Sequence, residues 1–200
     1  ANGSLSGTTV YYVKPNTDID LTNTAKAITK NPNVGYTAES GTWSPEITSK
    51  QYTDNAEYTF NFNALGDVIP ETNNDGTKND KPDGYVTVKL IPTNKATAET
   101  KAEKIYFVNP TKNVTITNKP EGKKEKVGEI EYTYNFKGWT VTSGTIASWD
   151  NETIAGKFIQ DTDITAQYKT NIDAGTILPA PVPKKNVVTP KGDTPEAKDL

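Results

Sequence analysis

Residues 84–91, GYVTVKLI, alternate in character: Val86, Val88 and Leu90 fall on one face, and Tyr85, Thr87 and Lys89 on the other. A period of two is the mark of a half-buried strand. Similar segments follow at 104–109 (KIYFVN), 113–117 (NVTIT), 129–136 (EIEYTYNF), 138–142 (GWTVT) and 163–169 (DITAQYK). Helical spacing is scarce. Its best window, 20–30 (DLTNTAKAITK), is rich in Thr and predicts at most a short helix between strands.

The pattern occurs twice. VYYVKPNTDIDLTN at 10–23 matches IYFVNPTKNVTITN at 105–118 with a shift of 95. GYTAESGTW at 35–43 matches GWTVTSGTI at 138–146 with a shift of 103, and EYTFNF at 57–62 matches DITAQY at 163–168 with a shift of 106. Three matching blocks in order indicate an internal repeat. In this alignment Tyr36 stands where the second copy has Trp139. The second copy opens with the strand at 84–91, which the first copy lacks. Ala1 therefore reads as a cut inside a repeat, and the strand-deficient unit is expected to leave a sheet edge that can accept another chain.

The expected organisation is a first, truncated repeat module at 1–64, a linker at 65–81, a second module at 82–170 and an extended tail at 171–200. Turn-forming residues fill ETNNDGTKNDKPDG at 71–84. The tail is proline-rich, which favours polyproline II over a buried core. The predicted fold class is mainly β, shading into α+β with one short helix per repeat: two tandem small β-rich modules plus the tail.

Composition sharpens this picture. Of 200 residues only 33% are apolar, so the modules have thin cores. A net charge of −3 and 18 aromatic residues (3 Trp, 10 Tyr and 5 Phe) nevertheless argue for folding over disorder. The chain has no Cys and no His, which excludes disulfides, thiol nucleophiles, imidazole bases and the usual zinc ligands. All 22 basic residues are Lys, so bidentate phosphate or base recognition lacks its usual side chain. A net-negative chain also has no general attraction to nucleic acid. No run approaches the roughly 20 apolar residues of a membrane span.

PDGYVTVKL, IYFVNP, NVTIT and FKGWTV, closing on DTDITAQYK, together resemble the streptococcal high-identity tandem repeats of Gram-positive surface proteins. The aromatic–Gly–Trp turn and the closing DITAQY are also similar to the wider Listeria–Bacteroides repeats. The resemblance covers 82–170 and, more weakly, 1–64. It implies small modules that project a binding domain from the cell wall, outside the cell. LPAP at 178–181 lacks the Thr and Gly of a sortase signal. The implied function is a monomeric stalk or spacer of an adhesin, which meets a host surface or matrix ligand through another domain. The alternative is that the repeats themselves grip a host glycan or matrix protein. No catalytic, cofactor or metal residues come with the resemblance.

Candidate chemistry is sparse. Glu71, Asn73, Asp75 and Gly76 nearly follow a calcium loop, with Asp80 and Asp83 nearby, but Pro82 stands where a bidentate Glu is needed. A solvated turn is the expectation. Trp43, Trp139 and Trp149 are candidate sugar-stacking residues; Trp139 and Trp43 are expected in the cores instead. Acids such as Glu39, Asp54, Glu125 and Asp161 show no spacing that selects a catalytic pair. No enzyme and no cofactor are expected. Lys14, Lys89, Asn61 and Asn135 exemplify partners for a Lys–Asn crosslink, with no pair selected. Lys123, Lys124 and Lys126 alternate with Glu121, Glu125 and Glu129, which predicts a solvated hairpin tip.

Overall fold

The structure, a computed structural model, describes residues 2–142 and 153–172. Trp149 and most of the tail lie outside those residues. The first copy contains β1 (Gly3–Ser6), β2 (Asp18–Ile19), α1 (Thr22–Ala27), β3 (Thr29–Pro32), β4 (Tyr36–Ser44), β5 (Lys50–Gln51) and β6 (Thr59–Ala64). Its strands form three antiparallel couples, β1–β3, β2–β5 and β4–β6.

Helix α1 falls within the predicted 20–30 window. Asp20 accepts the Thr22 amide at its start (2.8 Å), and those bonds to Thr22 hold the Asp20 carboxyl below its usual range. At its end the Lys30 ammonium donates to the carbonyls of Ala25 (2.7 Å) and Lys26 (3.3 Å), a favourable position for a cation. Among the described residues the second copy has no such helix, where one short helix per repeat was expected. Pro120 stands at the counterpart of Ala25, and proline both removes an amide donor and restricts the residue before it.

The second copy is built from β8 (Val86–Ile91), β9 (Lys104–Val108), β10 (Val114–Thr117), β11 (Lys124–Val127), β12 (Ile130–Val141), β13 (Thr153–Gly156) and β14 (Thr162–Thr170), and it recruits β7 (Val68–Pro70). A six-stranded sheet runs β11-β12-β14-β8-β9-β7, and only the β14–β8 pairing is parallel. β10 and β13 form a separate pair. Val88, Leu90, Val108, Trp139, Ile164 and Ala166 from the sheet pack with Val114, Ile116 and Ile154 from that pair, and with Phe158. The chain is therefore mainly β.

The predicted inward face of 84–91 is correct for Val88 and Leu90, both fully buried. Tyr85, placed on the outer face, is buried too, because it precedes the strand and its hydroxyl donates to the Gly66 carbonyl (3.0 Å). The two strands predicted at 129–136 and 138–142 are one strand, β12, with an irregular register between Phe136 and Gly138.

The strand pairings of the two segments can be laid over one another, and they change one part of the alignment. β4–β6 corresponds to β12–β14, and β2–β5 to β10–β13. With β6 and β14 related by the shift of 106, Phe60 opposes Trp43 just as Ala166 opposes Trp139. Trp43, not Tyr36, is thus the counterpart of Trp139, and Tyr36 corresponds to Tyr134. Sequence matching misplaced this block because the bulge between Thr37 and Thr42 is longer than that between Phe136 and Gly138.

One pair of counterparts yields a prediction. Tyr168 buries its hydroxyl without a hydrogen-bond partner, and burial pushes that group's pKa up. The same position in the first copy is Phe62. Removing an unsatisfied hydroxyl relieves a desolvation cost of about 1–3 kcal/mol, so Tyr168→Phe is expected to raise the urea midpoint. A lower midpoint would show that the hydroxyl is satisfied in solution.

Candidate functional site

The chain has two features from which function can be argued: the joint between the repeats and a cleft beside Trp43. The joint begins with the segment 65–81, expected to be a linker, which instead carries β7. Val68, Ile69 and Pro70 pair with Val108, Phe107 and Tyr106, and Val68 packs against the core. Proline is tolerated there because β7 is an edge strand.

Asn109, only 2% exposed, is the centre of the joint. Its amide nitrogen donates to Asp67 Oδ1 (3.0 Å), and its backbone amide donates to the Asp67 carbonyl (2.9 Å). Its side-chain oxygen accepts from the Thr111 amide (3.0 Å) and hydroxyl (2.7 Å). The first copy reaches the same place through Gly35, whose carbonyl accepts the Leu65 amide (2.9 Å). Gly35 has φ +91, and a Cβ there would lie 2.7 Å from Asn109 Nδ2. Gly84 (φ +76) similarly lies against Val34, 2.6 Å from a Cγ to an added Cβ. Both positions require glycine for conformation and for close approach. Residues from both modules and from the intervening segment therefore meet in one hydrogen-bonded, close-packed contact.

The cleft lies in the first module and has a volume of about 510 Å³. Trp43 and Phe60 meet edge to face at 5.2 Å on its wall. The Lys30 ammonium, fixed at the end of α1, lies 6.0 Å from the Trp43 ring and 5.7 Å from that of Phe60. Lys26, Glu46 and Ile47 also line it. Trp43 is half-buried, not a full core residue as expected; Thr22, Ala25 and Lys26 of α1 line the same open cleft. Trp139 is fully buried as expected, meets Phe136 edge to face at 5.4 Å, and donates through Nε1 to the Asn118 carbonyl (2.9 Å).

The remaining candidates are tied to neighbouring groups or exposed. Asp75 accepts from the Thr77 amide (2.9 Å) and hydroxyl (2.6 Å), which holds its carboxyl below the usual range. Asn73 and Asn79 bond each other across the same turn. Among the described residues no group of three acidic side chains is arranged to hold a metal. Asp161 accepts the Thr87 amide (2.7 Å) and pairs with Lys81 (3.4 Å), tying the start of β14 to β8. Glu125 pairs with Lys123 (3.3 Å) on the hairpin of β11 and β12, the expected hairpin of the lysine-rich segment. Glu39 and Asp54 are exposed. Lys14, Asn61 and Asn135 are also exposed, and Lys89 pairs with Glu103 (3.9 Å), so these four form no buried Lys–Asn contact.

Sequence reasoning missed Asn109 and Asp67. Their only signal was position: Asn109 aligns with Lys14, a polar-for-charged change at the end of a matched strand. No family model, no curated protein and no solved structure matches the chain.

Proposed function

We propose that the chain is a structural spacer, a stalk of repeats from an extracellular bacterial surface protein that holds a binding domain away from the wall. The observation that carries this reading is the joint at Asn109. A spacer needs a fixed angle between successive modules, and a hydrogen-bonded contact limits bending where a solvated linker would not. A compact unit of about 90 residues has a radius of gyration near 12 Å, so each elongated module adds roughly 40 Å of reach. Resistance to opening comes from the sheet hydrogen bonds within each unit. The absence of Cys and Met suits an oxidising exterior.

Because the chain has no Cys, introduced cysteines are clean sites for spin labels. Glu39→Cys and Lys137→Cys place labels on exposed positions of the two modules. A spacer gives one narrow distance distribution between them. A broad distribution, typical of independent modules, would overturn the reading.

The Trp43 cleft favours a second reading, in which the repeat itself binds a host glycan. An aromatic wall beside a fixed ammonium and a carboxylate can stack on a sugar face and hydrogen-bond its hydroxyls. Saturable binding to one member of a glycan or matrix-protein panel, abolished by Trp43→Ala in a still-folded chain, would replace the passive spacer with an adhesive module. Flat responses across the panel would remove this second reading.

A further inference from the structure

A second cleft, of about 460 Å³, lies in the second module, away from both the joint and Trp43. That volume falls within the usual range of small-ligand sites, about 300–1,000 Å³. Tyr132, Tyr134 and Tyr168 supply its aromatic lining, Gln167 and Thr170 an amide and a hydroxyl, and Lys95 a cation. Main-chain bonds fix that cation in place. The Lys95 carbonyl accepts the Lys123 amide (2.8 Å), and the Lys123 carbonyl accepts the Tyr134 amide (3.0 Å). The Lys95 ammonium then donates to the Tyr134 hydroxyl (2.9 Å) and lies 4.3 Å from the centre of the same ring. An ammonium carries three donors, so this bond leaves two for a ligand. Among the described residues that line the cleft, Lys95 alone is charged. Glu125 accepts from the Tyr134 hydroxyl (3.4 Å), and its charge is matched by Lys123 (3.3 Å).

The matching positions of the first segment lack this chemistry. The pairing of Tyr134 with Thr170 matches that of Tyr36 with Ala64. The bond from the Asn171 amide to the Thr133 carbonyl (3.1 Å) likewise matches that from the Leu65 amide to the Gly35 carbonyl (2.9 Å). Tyr132, Tyr168 and Thr170 therefore stand where the first segment has Val34, Phe62 and Ala64. Both segments form the same strand pair, so the pair does not require the three added hydroxyls. One of them is a cost to the fold, because the Tyr168 hydroxyl is buried without a partner.

We propose that this cleft binds an acidic sugar, a hydroxyl-bearing ring with a single carboxylate. The C–H face of the ring lies on the tyrosines, its hydroxyls meet Gln167 and Thr170, and its carboxylate takes the Lys95 ammonium. A phosphate ester fits less well: its nearly two negative charges would meet one ammonium, with the Glu125 carboxylate close by and no guanidinium fork. An uncharged sugar leaves the ammonium without an anion. The spacer reading does not depend on this site, and the label distances that test the spacer are independent of it.

The test is titration of the intact chain with D-glucuronate, and with D-glucose as the uncharged control, up to about 50 mM, followed by amide resonances. That range covers the millimolar dissociation constants of weak single-ring contacts. Saturable shifts are expected at 95, 132–134 and 167–170, with glucose about fivefold weaker than glucuronate. Lys95→Gln is expected to bring glucuronate down to the level of glucose while leaving glucose unchanged, a split that a loss of folding would not produce. Tyr132→Ala is expected to abolish both responses, and Trp43→Ala, in the other cleft, to alter neither. Absence of saturable shifts, equal affinity for the two sugars, or an unchanged glucuronate response in Lys95→Gln would overturn the proposal. Loss of the response in Trp43→Ala would also overturn it, since the sugar would then sit in the first module.

Discussion

Trp139→Ala is expected to destabilise the second module by about 4 kcal/mol, within the usual range for deleting a buried aromatic ring. The ring is fully buried, meets Phe136 edge to face, and gives its indole proton to the Asn118 carbonyl. Truncation removes the transfer free energy of the ring and leaves a cavity bounded by a rigid sheet. It also leaves that carbonyl without its indole donor. A domain of about 90 residues has a total stability of about 5–13 kcal/mol, so most of the margin is lost. Urea unfolding followed by amide resonances from each module is expected to show the second unfolding well before the first. The same change at Trp43 is expected to cost less, about 1–2 kcal/mol, because Trp43 is only half-buried. Equal losses at the two sites would show that the cleft beside Trp43 is closed in solution.

Asn109→Ala is expected to cost about 3 kcal/mol and to loosen the angle between the modules. The substitution removes the hydrogen bond to the Asp67 carboxylate and takes the acceptor from the Thr111 amide and hydroxyl. Bonds to charged groups contribute about 1.5–3 kcal/mol, and stranded buried groups cost about 1–3 kcal/mol. The label distribution between positions 39 and 137 should broaden as the urea midpoint falls. Asn109→Asp separates the two contributions, since it keeps the acceptor for Thr111 but sets a carboxylate against Asp67. Two carboxylates in contact raise the pKa of one of them. The pair is therefore least stable above that raised value, and stability returns as the pH falls and a proton is shared. A midpoint in Asn109→Asp that is flat with pH would remove Asp67 from the joint.

Much of the architecture was legible because strand alternation is local. Val88 and Leu90, spaced two apart among polar residues, could only face inward. The motif at 10–23 announced its twin at 105–118, and the short helix was placed by a window of weak helix formers flanked by strands. Long-range choices were not legible. Bulge length shifted Trp43 onto Trp139, and no residue pattern reports how many residues a bulge will absorb. The turn-rich run after Glu71 hid the three residues of β7, which are too few to show a period. Asn109 is unremarkable in sequence because its importance comes from Asp67, 42 positions away.

The sequence by itself determined that this chain is mainly β, that three sequence blocks recur in order along it, and that its chemistry lacks thiols, imidazoles and guanidinium groups. Those conclusions depend on side-chain identity and on spacing within a few residues. Only the tertiary structure decided which segments pair, that the expected linker is an edge strand, and that the modules meet in a packed joint. It also left 9–13 and 56–58 outside any sheet. A strand forms only when a partner accepts its backbone hydrogen bonds. The strand propensity of TVYYV, at 9–13, is fixed by its residues, but its state depends on whether a neighbour is present.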